Sequence, residues 1–218
     1  MVLPTKNGNA SLGLFPTMGM TIWLFLAHYF LGETVENGVV KWALLLAPLS
    51  IVPLGLTLVL QPNRNGKKGR SQEILGWLLP IAGSACVVSM FLPEGLWAAI
   101  LVVPWAVVGI LSGLLGLSRC LLRGGRLIEE WAVDAALLYL SVGCVWLLAH
   151  RAGYPLLGYY PEMVLLTAVH FHFAGFAAAL IAGLTGRCVR LHSKSSVPLI
   201  SVPIVLVMFG PPLVAIGI

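Results

Sequence analysis

Long apolar segments separated by short polar connections run along the whole chain. Each segment approaches the roughly 20 helical residues that cross the hydrocarbon core of a bilayer. The segments lie at 12–31, 40–60, 74–92, 95–117, 129–149, 162–185 and 196–217. This pattern predicts an all-α, polytopic membrane bundle of about seven transmembrane helices, with residues 1–218 forming a single transmembrane domain.

The composition is typical of a membrane protein rather than of a soluble domain. Of the 218 residues, 59% are hydrophobic and only 10% are charged, whereas soluble domains average about 25% charged residues. The net charge of +5 does not indicate nucleic-acid binding, because the basic residues stand in the connections between apolar segments. We therefore expect the lipid bilayer as a partner and no nucleic acid.

The basic residues fall on one side of the predicted bundle, apart from Lys41 and Arg151. Three connections that alternate along the chain carry nearly all of them, so the three agree on one membrane face. The positive-inside rule then predicts a cytoplasmic N-terminus and a multi-pass protein of the cell inner (plasma) membrane. The residues of this face are Lys6, Arg64, Lys67, Lys68, Arg70, Arg119, Arg123, Arg126, Arg187, Arg190 and Lys194.

The sixth segment holds two histidines, His170 and His172, at a depth where polar groups are costly and often functional. An α-helix turns 100° per residue, so the two side chains point about 200° apart and cannot chelate one metal ion from a regular helix. Metal-binding helices of the H-E-x-x-H type space their histidines four apart. We therefore predict no metal and no other cofactor. One histidine is expected to face a cavity, and the other to serve as a structural hydrogen-bonding group.

The fifth segment carries a polar stripe that runs inward from its cytoplasmic end. Glu130 and Asp134 are four residues apart and share a helix face, which Ser141 continues. Asp134 lies roughly 8–10 Å inside the expected membrane edge. Because Arg123 and Arg126 are expected nearer the cytosol, desolvation should favour the neutral acid at this depth.

Asp134 and the two histidines belong to consecutive segments joined by a short outer connection, so we expect them on antiparallel neighbours. Their estimated depths differ by about one helical turn, which would let a carboxyl group and an imidazole share one pocket. Such a pair can donate and accept protons. The first segment adds His28, on the same face as Thr17 and Thr21 and near the outer boundary.

The stretch LTAVHFHFAGFAAALIAGL resembles the bacterial YndJ-like membrane protein family, in which a TAVHFH-aromatic-AGF motif stands in a late helix. The resemblance implies a polytopic membrane protein and assigns no chemistry to the motif. Its positions here are Thr167, His170, His172, Gly175 and Phe176. In size and helix number alone, the chain is also similar to small membrane-bound terpene cyclases, which use intramembrane carboxylic acids.

These patterns favour an integral membrane enzyme of the isomerase, cyclase or lyase type. It would act on a small, hydrophobic, lipid-soluble substrate by intramembrane acid–base chemistry. The expected catalytic residues are Asp134, His170, His172, Glu130 and His28, and the expected substrate-binding residues are Thr21, Ser141, Thr167 and Phe176.

Three other functions stay open at this point. The chain could be a membrane transporter, or a haem or metal protein with His28 and His170 as axial ligands. It could also be a structural or assembly subunit, in which the same polar residues serve the fold alone.

Overall fold

A computed structural model describes residues 10–32, 37–60, 70–123, 127–192 and 197–217. Within these ranges the chain forms seven long helices and no strand. They are α1 (Ala10–Phe30), α2 (Gly38–Val59), α3 (Arg70–Met90), α4 (Leu96–Arg123), α5 (Ile128–Arg151), α6 (Pro161–His192) and α7 (Val197–Gly217). Six of them, α2 to α7, are long and apolar enough to cross a membrane. The predicted all-α polytopic bundle is therefore confirmed.

Two helices continue well past their predicted ends on the basic side of the bundle. The apolar pattern ends α4 at residue 117 and α6 at residue 185, whereas the structure continues them to Arg123 and His192. The extra turns hold arginines that were expected in loops. Carboxylates of α5 lie alongside these turns and pair with their arginines.

Two helices widen from the α-helical to the π-helical pattern near their middles. In α2 this happens over Ala47–Ile51, where the N–H of Val52 donates to the carbonyl of Ala47. Pro48 lies within this turn and Pro53 follows it, and neither has an N–H to continue the α pattern. In α6 the wide segment is Phe171–Ala178. The two segments contact each other, so both irregularities lie inside the bundle.

The centre of the bundle is α5, which packs against α4, α6 and α7. Glycines let α4 approach it closely. A Cβ atom at Gly109 would lie 2.6 Å from the Cβ of Cys144, and one at Gly116 would lie 2.7 Å from the carbonyl oxygen of Asp134. Small residues at such positions are the usual means by which membrane helices pack. This contact fixes which face of α4 meets the acidic stripe of α5.

The first helix packs on α2 through a reciprocal tryptophan pair. The indole N–H of Trp23 donates to the carbonyl of Trp42 at 2.8 Å, and that of Trp42 donates to the carbonyl of Trp23 at 3.0 Å. Their rings stack with centroids 4.1 Å apart. A hydroxyl bond from Ser50 to the carbonyl of Pro16 reinforces the contact.

Candidate functional site

An ion-pair cluster joins three helices at the end of the bundle that the charge pattern predicts to be cytoplasmic. We call it the basic-end cluster. Its members are Arg119 and Arg123 of α4, Glu129, Glu130 and Asp134 of α5, and Arg187 and Arg190 of α6. The other basic positions predicted for this face, Lys6, Arg64, Lys67, Lys68, Arg126 and Lys194, lie outside the described residues, as does the side chain of Arg70.

The arginines of α4 match the spacing of the acids of α5. Arg119 and Arg123 are four residues apart, as are Glu130 and Asp134, so each pair lies on one face of its helix. Arg119 Nε donates to Asp134 Oδ1 at 2.7 Å, and Arg123 Nη1 lies 3.4 Å from Asp134 Oδ2. The Arg123 guanidinium also donates to Glu130 Oε2 at 2.7 Å. Both carboxylate oxygens of Asp134 therefore face a guanidinium.

The arginines of α6 bind Glu130 and Glu129. Arg187 Nη2 donates to Glu130 Oε2 at 2.7 Å, and Arg190 Nη2 donates to Glu129 Oε2 at 2.9 Å. A second bond joins Arg190 Nε to Glu129 Oε1. Since Arg119 and Arg123 also contact Glu130, this one carboxylate collects three guanidinium groups from two helices.

The expectation of an isolated neutral acid at Asp134 was wrong about its surroundings. Asp134 is buried as predicted, but it is paired with cations. The prediction placed these cations in a loop nearer the cytosol. They instead lie beside the acid, because α4 remains helical to Arg123 and runs antiparallel to α5.

His172 is fully buried, and both of its ring nitrogens are bonded. Trp105 of α4 donates its indole N–H to Nε2 at 3.1 Å, and Nδ1 lies 2.7 Å from the carbonyl of Ala168. An indole can only donate, so Nε2 accepts and the proton sits on Nδ1. The thiol of Cys144 lies 3.7 Å from Nε2. His172 of α6 thus contacts both α4 and α5 through its Nε2 atom.

His170 meets a different neighbour, as its angular offset from His172 predicts. It is half-buried, and its Nε2 lies 3.1 Å from the carbonyl of Pro211 on α7. Close by, the hydroxyl of Tyr139 donates to the carbonyl of Met208. Pro212 follows Met208 by four residues and has no N–H, so Tyr139 replaces the helical donor that this carbonyl lacks.

The predicted pocket shared by Asp134 and a histidine is not formed. The ring of His172 lies against Gly143, where a Cβ atom would be 2.7 Å from Nδ1. Gly143 follows Asp134 by nine residues on α5, which corresponds to about 13 Å along a helix axis. The depth estimate assumed that the outer ends of α5 and α6 are level, whereas the structure places His172 beside Gly143.

The other predicted site residues are dispersed, and most are bonded within the fold. Ser141 donates to the carbonyl of Gly109, and Thr167 donates to that of Met163, both at 2.7 Å. Phe176 is buried against Gly55 of α2. They do not converge on Asp134 or on one another.

The polar face of α1 points away from the bundle. Thr21 and His28 are exposed, and Thr21 donates to the carbonyl of Thr17 within its own helix. The α1 helix packs on α2, whereas His170 bonds to α7. The structure therefore does not bring Thr21 and His28 into the interior of the bundle, and it does not pair His28 with His170 as haem ligands. The spacing of polar residues along one face of a helix does not tell whether that face points into the bundle or away from it.

The opposite end of the bundle holds buried polar residues that were not predicted from the sequence. Arg151, predicted in an outer loop, is buried and donates to the carbonyls of Ser89 and Leu92 at 3.0 and 2.6 Å. It thereby caps the end of α3. Next to it, His150 lies 3.5 Å from Glu94 and has no hydrogen-bond partner among the described residues. In the sequence, the one indication was that Arg151 stands at the end of an apolar segment, on the membrane face predicted to carry few basic residues.

Metal-ligating side chains do not gather in the described part of the chain. No group of three or more histidine, cysteine, aspartate or glutamate residues there could hold a metal ion. The four cysteines are free thiols; Cys86 and Cys144 are buried, while Cys120 and Cys188 are exposed.

Comparisons with known proteins point to one family. A family model described as "YndJ-like protein" matches residues 42–218. A curated relative, the "Uncharacterized membrane protein YndJ" of Bacillus subtilis (strain 168), is 27% identical over 200 residues. The matched region covers 92% of this chain and 35% of the relative, so the chain spans about a third of that protein's length. No solved structure matches.

Proposed function

This chain belongs to the YndJ-like protein family, and we propose that it serves as a membrane-embedded assembly module whose polar residues hold its helices together. It is a multi-pass bacterial membrane protein. The matched relative is longer and carries sequence outside the shared region. A rigid helical platform suits the task of anchoring such additional segments to the membrane.

The observation that carries this proposal is the basic-end cluster. Every ion pair in it joins different helices: α4 to α5, or α6 to α5. A charged side chain inside the membrane is energetically costly unless it is paired. Removing one member of a buried ion pair leaves the other charge without a partner. The cluster therefore favours one arrangement of α4, α5 and α6 over shifted alternatives.

Polar contacts also join α7 and α3 to this central unit and α1 to α2. Tyr139 and His170 bond to α7, and the tryptophan pair joins α1 to α2. At the other end, Arg151 of α5 bonds to α3. Four of the residues predicted to be catalytic, Asp134, Glu130, His170 and His172, thus have partners in the fold, which supports a structural role for them.

The acid–base enzyme predicted from the sequence receives less support than the module. An isomerase or cyclase of that kind needs a proton donor and an acceptor at one substrate. Asp134 is held by two arginines, His172 has both ring nitrogens bonded, and the two residues lie apart. The geometry favours the assembly role that the sequence analysis left open.

The test is the thermal stability of an Asp134→Asn variant of the purified full chain in detergent. Removing the charge leaves Arg119 without its closest partner. This should cost about 1–3 kcal/mol, less than for a fully buried pair because Arg119 is partly exposed. That cost corresponds to a melting temperature several degrees lower, at about 2–4 °C per kcal/mol.

Two further variants make the result specific. Arg119→Gln combined with Asp134→Asn should recover part of the loss, because neither charge is then left alone. Glu94→Gln, which removes a partly exposed carboxylate at the opposite end, should change the melting temperature little. If Asp134→Asn melts like the wild type, the assembly role of the cluster is refuted.

A further inference from the structure

We propose that the four arginines of the basic-end cluster form a binding site for the phosphate group of an anion at the membrane surface. We call these residues, Arg119, Arg123, Arg187 and Arg190, the arginine rim. This role goes beyond holding the helices together, because it uses the side of the cluster that faces away from the bundle.

The cations and the anions of the cluster differ in depth. The side chains of Glu129 and Asp134 are 3% exposed and that of Glu130 is 16% exposed, whereas those of the arginines are 20–36% exposed. The carboxylates therefore lie beneath the guanidinium groups. An anion approaching from solvent meets the arginine rim first.

The arginines retain hydrogen-bond donors that no described residue uses. Arg119, Arg187 and Arg190 bond to carboxylates through Nε and Nη2, which leaves their Nη1 groups available. Arg123 bonds through Nη1 alone, which leaves Nε and Nη2. A guanidinium offers its donors as a planar fork that fits two oxygens of a phosphate.

The carboxylates underneath hold these forks in place. Glu130 contacts Arg119, Arg123 and Arg187, so the three guanidinium groups converge on one carboxylate rather than spreading into solvent. Less side-chain entropy is then lost when a phosphate binds. Four cations against three anions leave the cluster with one positive charge, which matches a single phosphodiester.

The position of the rim indicates where such a phosphate is found. The arginines stand on the terminal turns of α4 and α6, two helices long and apolar enough to cross a membrane. Ends of such helices lie level with lipid headgroups, and basic pockets between helices there bind anionic headgroups. A soluble phosphate would offer the same oxygens, whereas the ammonium group of a zwitterionic lipid would be repelled by the rim.

The experiment follows the melting temperature of the purified full chain in a neutral detergent with three additions. These are phosphatidylglycerol, phosphatidylethanolamine and soluble glycerol phosphate at equal phosphate concentration. Phosphatidylglycerol should raise the melting temperature, and 0.5 M salt should reduce the increase, because salt screens exposed charges. Stabilisation by glycerol phosphate as well would support the site and identify a soluble anion as a source. No stabilisation by either anion would overturn the proposal.

Variants locate the effect on the rim. Arg123→Gln and Arg190→Gln should each weaken the apparent affinity for phosphatidylglycerol about fivefold, the effect of about 1 kcal/mol per basic residue. Arg123→Lys keeps the charge and serves as the milder variant if the glutamine forms fold poorly. Lys41→Gln makes the same charge change at the opposite end and should leave the affinity unchanged. Equal losses in the Lys41 and arginine variants would overturn the site. The melting temperatures of the same variants without added lipid test the assembly role separately.

Discussion

At the scale of single residues, His172 is a buried polar side chain whose two ring nitrogens both have hydrogen-bond partners within the protein. The indole N–H of Trp105 donates to Nε2, and Nδ1–H donates to the carbonyl of Ala168. The neutral tautomer therefore satisfies both nitrogens in a place that excludes water. A buried imidazole without these partners would cost about 1–3 kcal/mol.

We predict that Trp105→Phe destabilises the protein by about 1–3 kcal/mol, because His172 Nε2 then loses its indole donor and keeps only the weak thiol donor of Cys144. The measurement is thermal melting in detergent, where this cost corresponds to several degrees. Trp97→Phe is the matched control, since Trp97 is exposed near the start of the same helix. Similar melting of the two variants would contradict the structural role assigned to the Trp105–His172 bond.

At the scale of helices, close packing and proline chemistry decide which contacts form. Gly116 brings α4 against the backbone of α5 at Asp134, which places Arg119 beside that acid. In α7 the prolines free carbonyl groups, and Tyr139 of α5 occupies the one at Met208. The helices thus contact each other at two kinds of position: glycines, where there is no side chain in the way, and carbonyl groups that a proline leaves without a helical donor.

We predict that Gly116→Ala lowers the melting temperature, because the added methyl group would lie 2.7 Å from the carbonyl of Asp134 and force α4 away from α5. Gly210→Ala in α7 is the control, since a Cβ atom there meets nothing within 4 Å. Alanine is also the better helix former by about 1 kcal/mol, so the control should be neutral or slightly more stable. A Gly116→Ala variant as stable as Gly210→Ala would contradict the close packing of α4 on α5.

At the scale of the whole molecule, the charges are divided between the two ends of the bundle. One end holds the basic-end cluster, and the other holds the buried Arg151 with Glu94 and His150 close by. The positive-inside rule predicts that the basic end faces the cytoplasm. This orientation would place the arginine rim at the cytoplasmic surface of the membrane, where anionic headgroups attract basic residues.

We predict that cysteines introduced at Gly66 and Gly158 are labelled from opposite sides of the membrane by an impermeant maleimide. The background carries Cys120→Ser and Cys188→Ser, because these two thiols are exposed. The buried Cys86 and Cys144 can remain, since the reagent does not reach them. Gly158→Cys should react in intact cells and Gly66→Cys only after lysis. Reaction of both from the same side would contradict the topology.

Part of this architecture was predictable because it depends on each segment alone. Apolar length set the number of helices, and the charges of the connections set the predicted orientation. The family followed from the stretch around His170 and His172, and the comparisons support it. The different surroundings of these two histidines were also predictable, since their angular offset is a property of one helix.

The partners of the polar residues were decided only by the tertiary structure. Asp134 was predicted to be an isolated acid, because the arginines that pair with it belong to α4, in turns that the apolar pattern did not include. Thr21 and His28 were predicted to face the interior, although α1 packs on α2 in a rotation that leaves both side chains exposed. The physical reason is common to both cases. A side chain on a membrane helix finds its partner on another helix, and the rotation and register between two helices come from their packing, which neither segment specifies by itself.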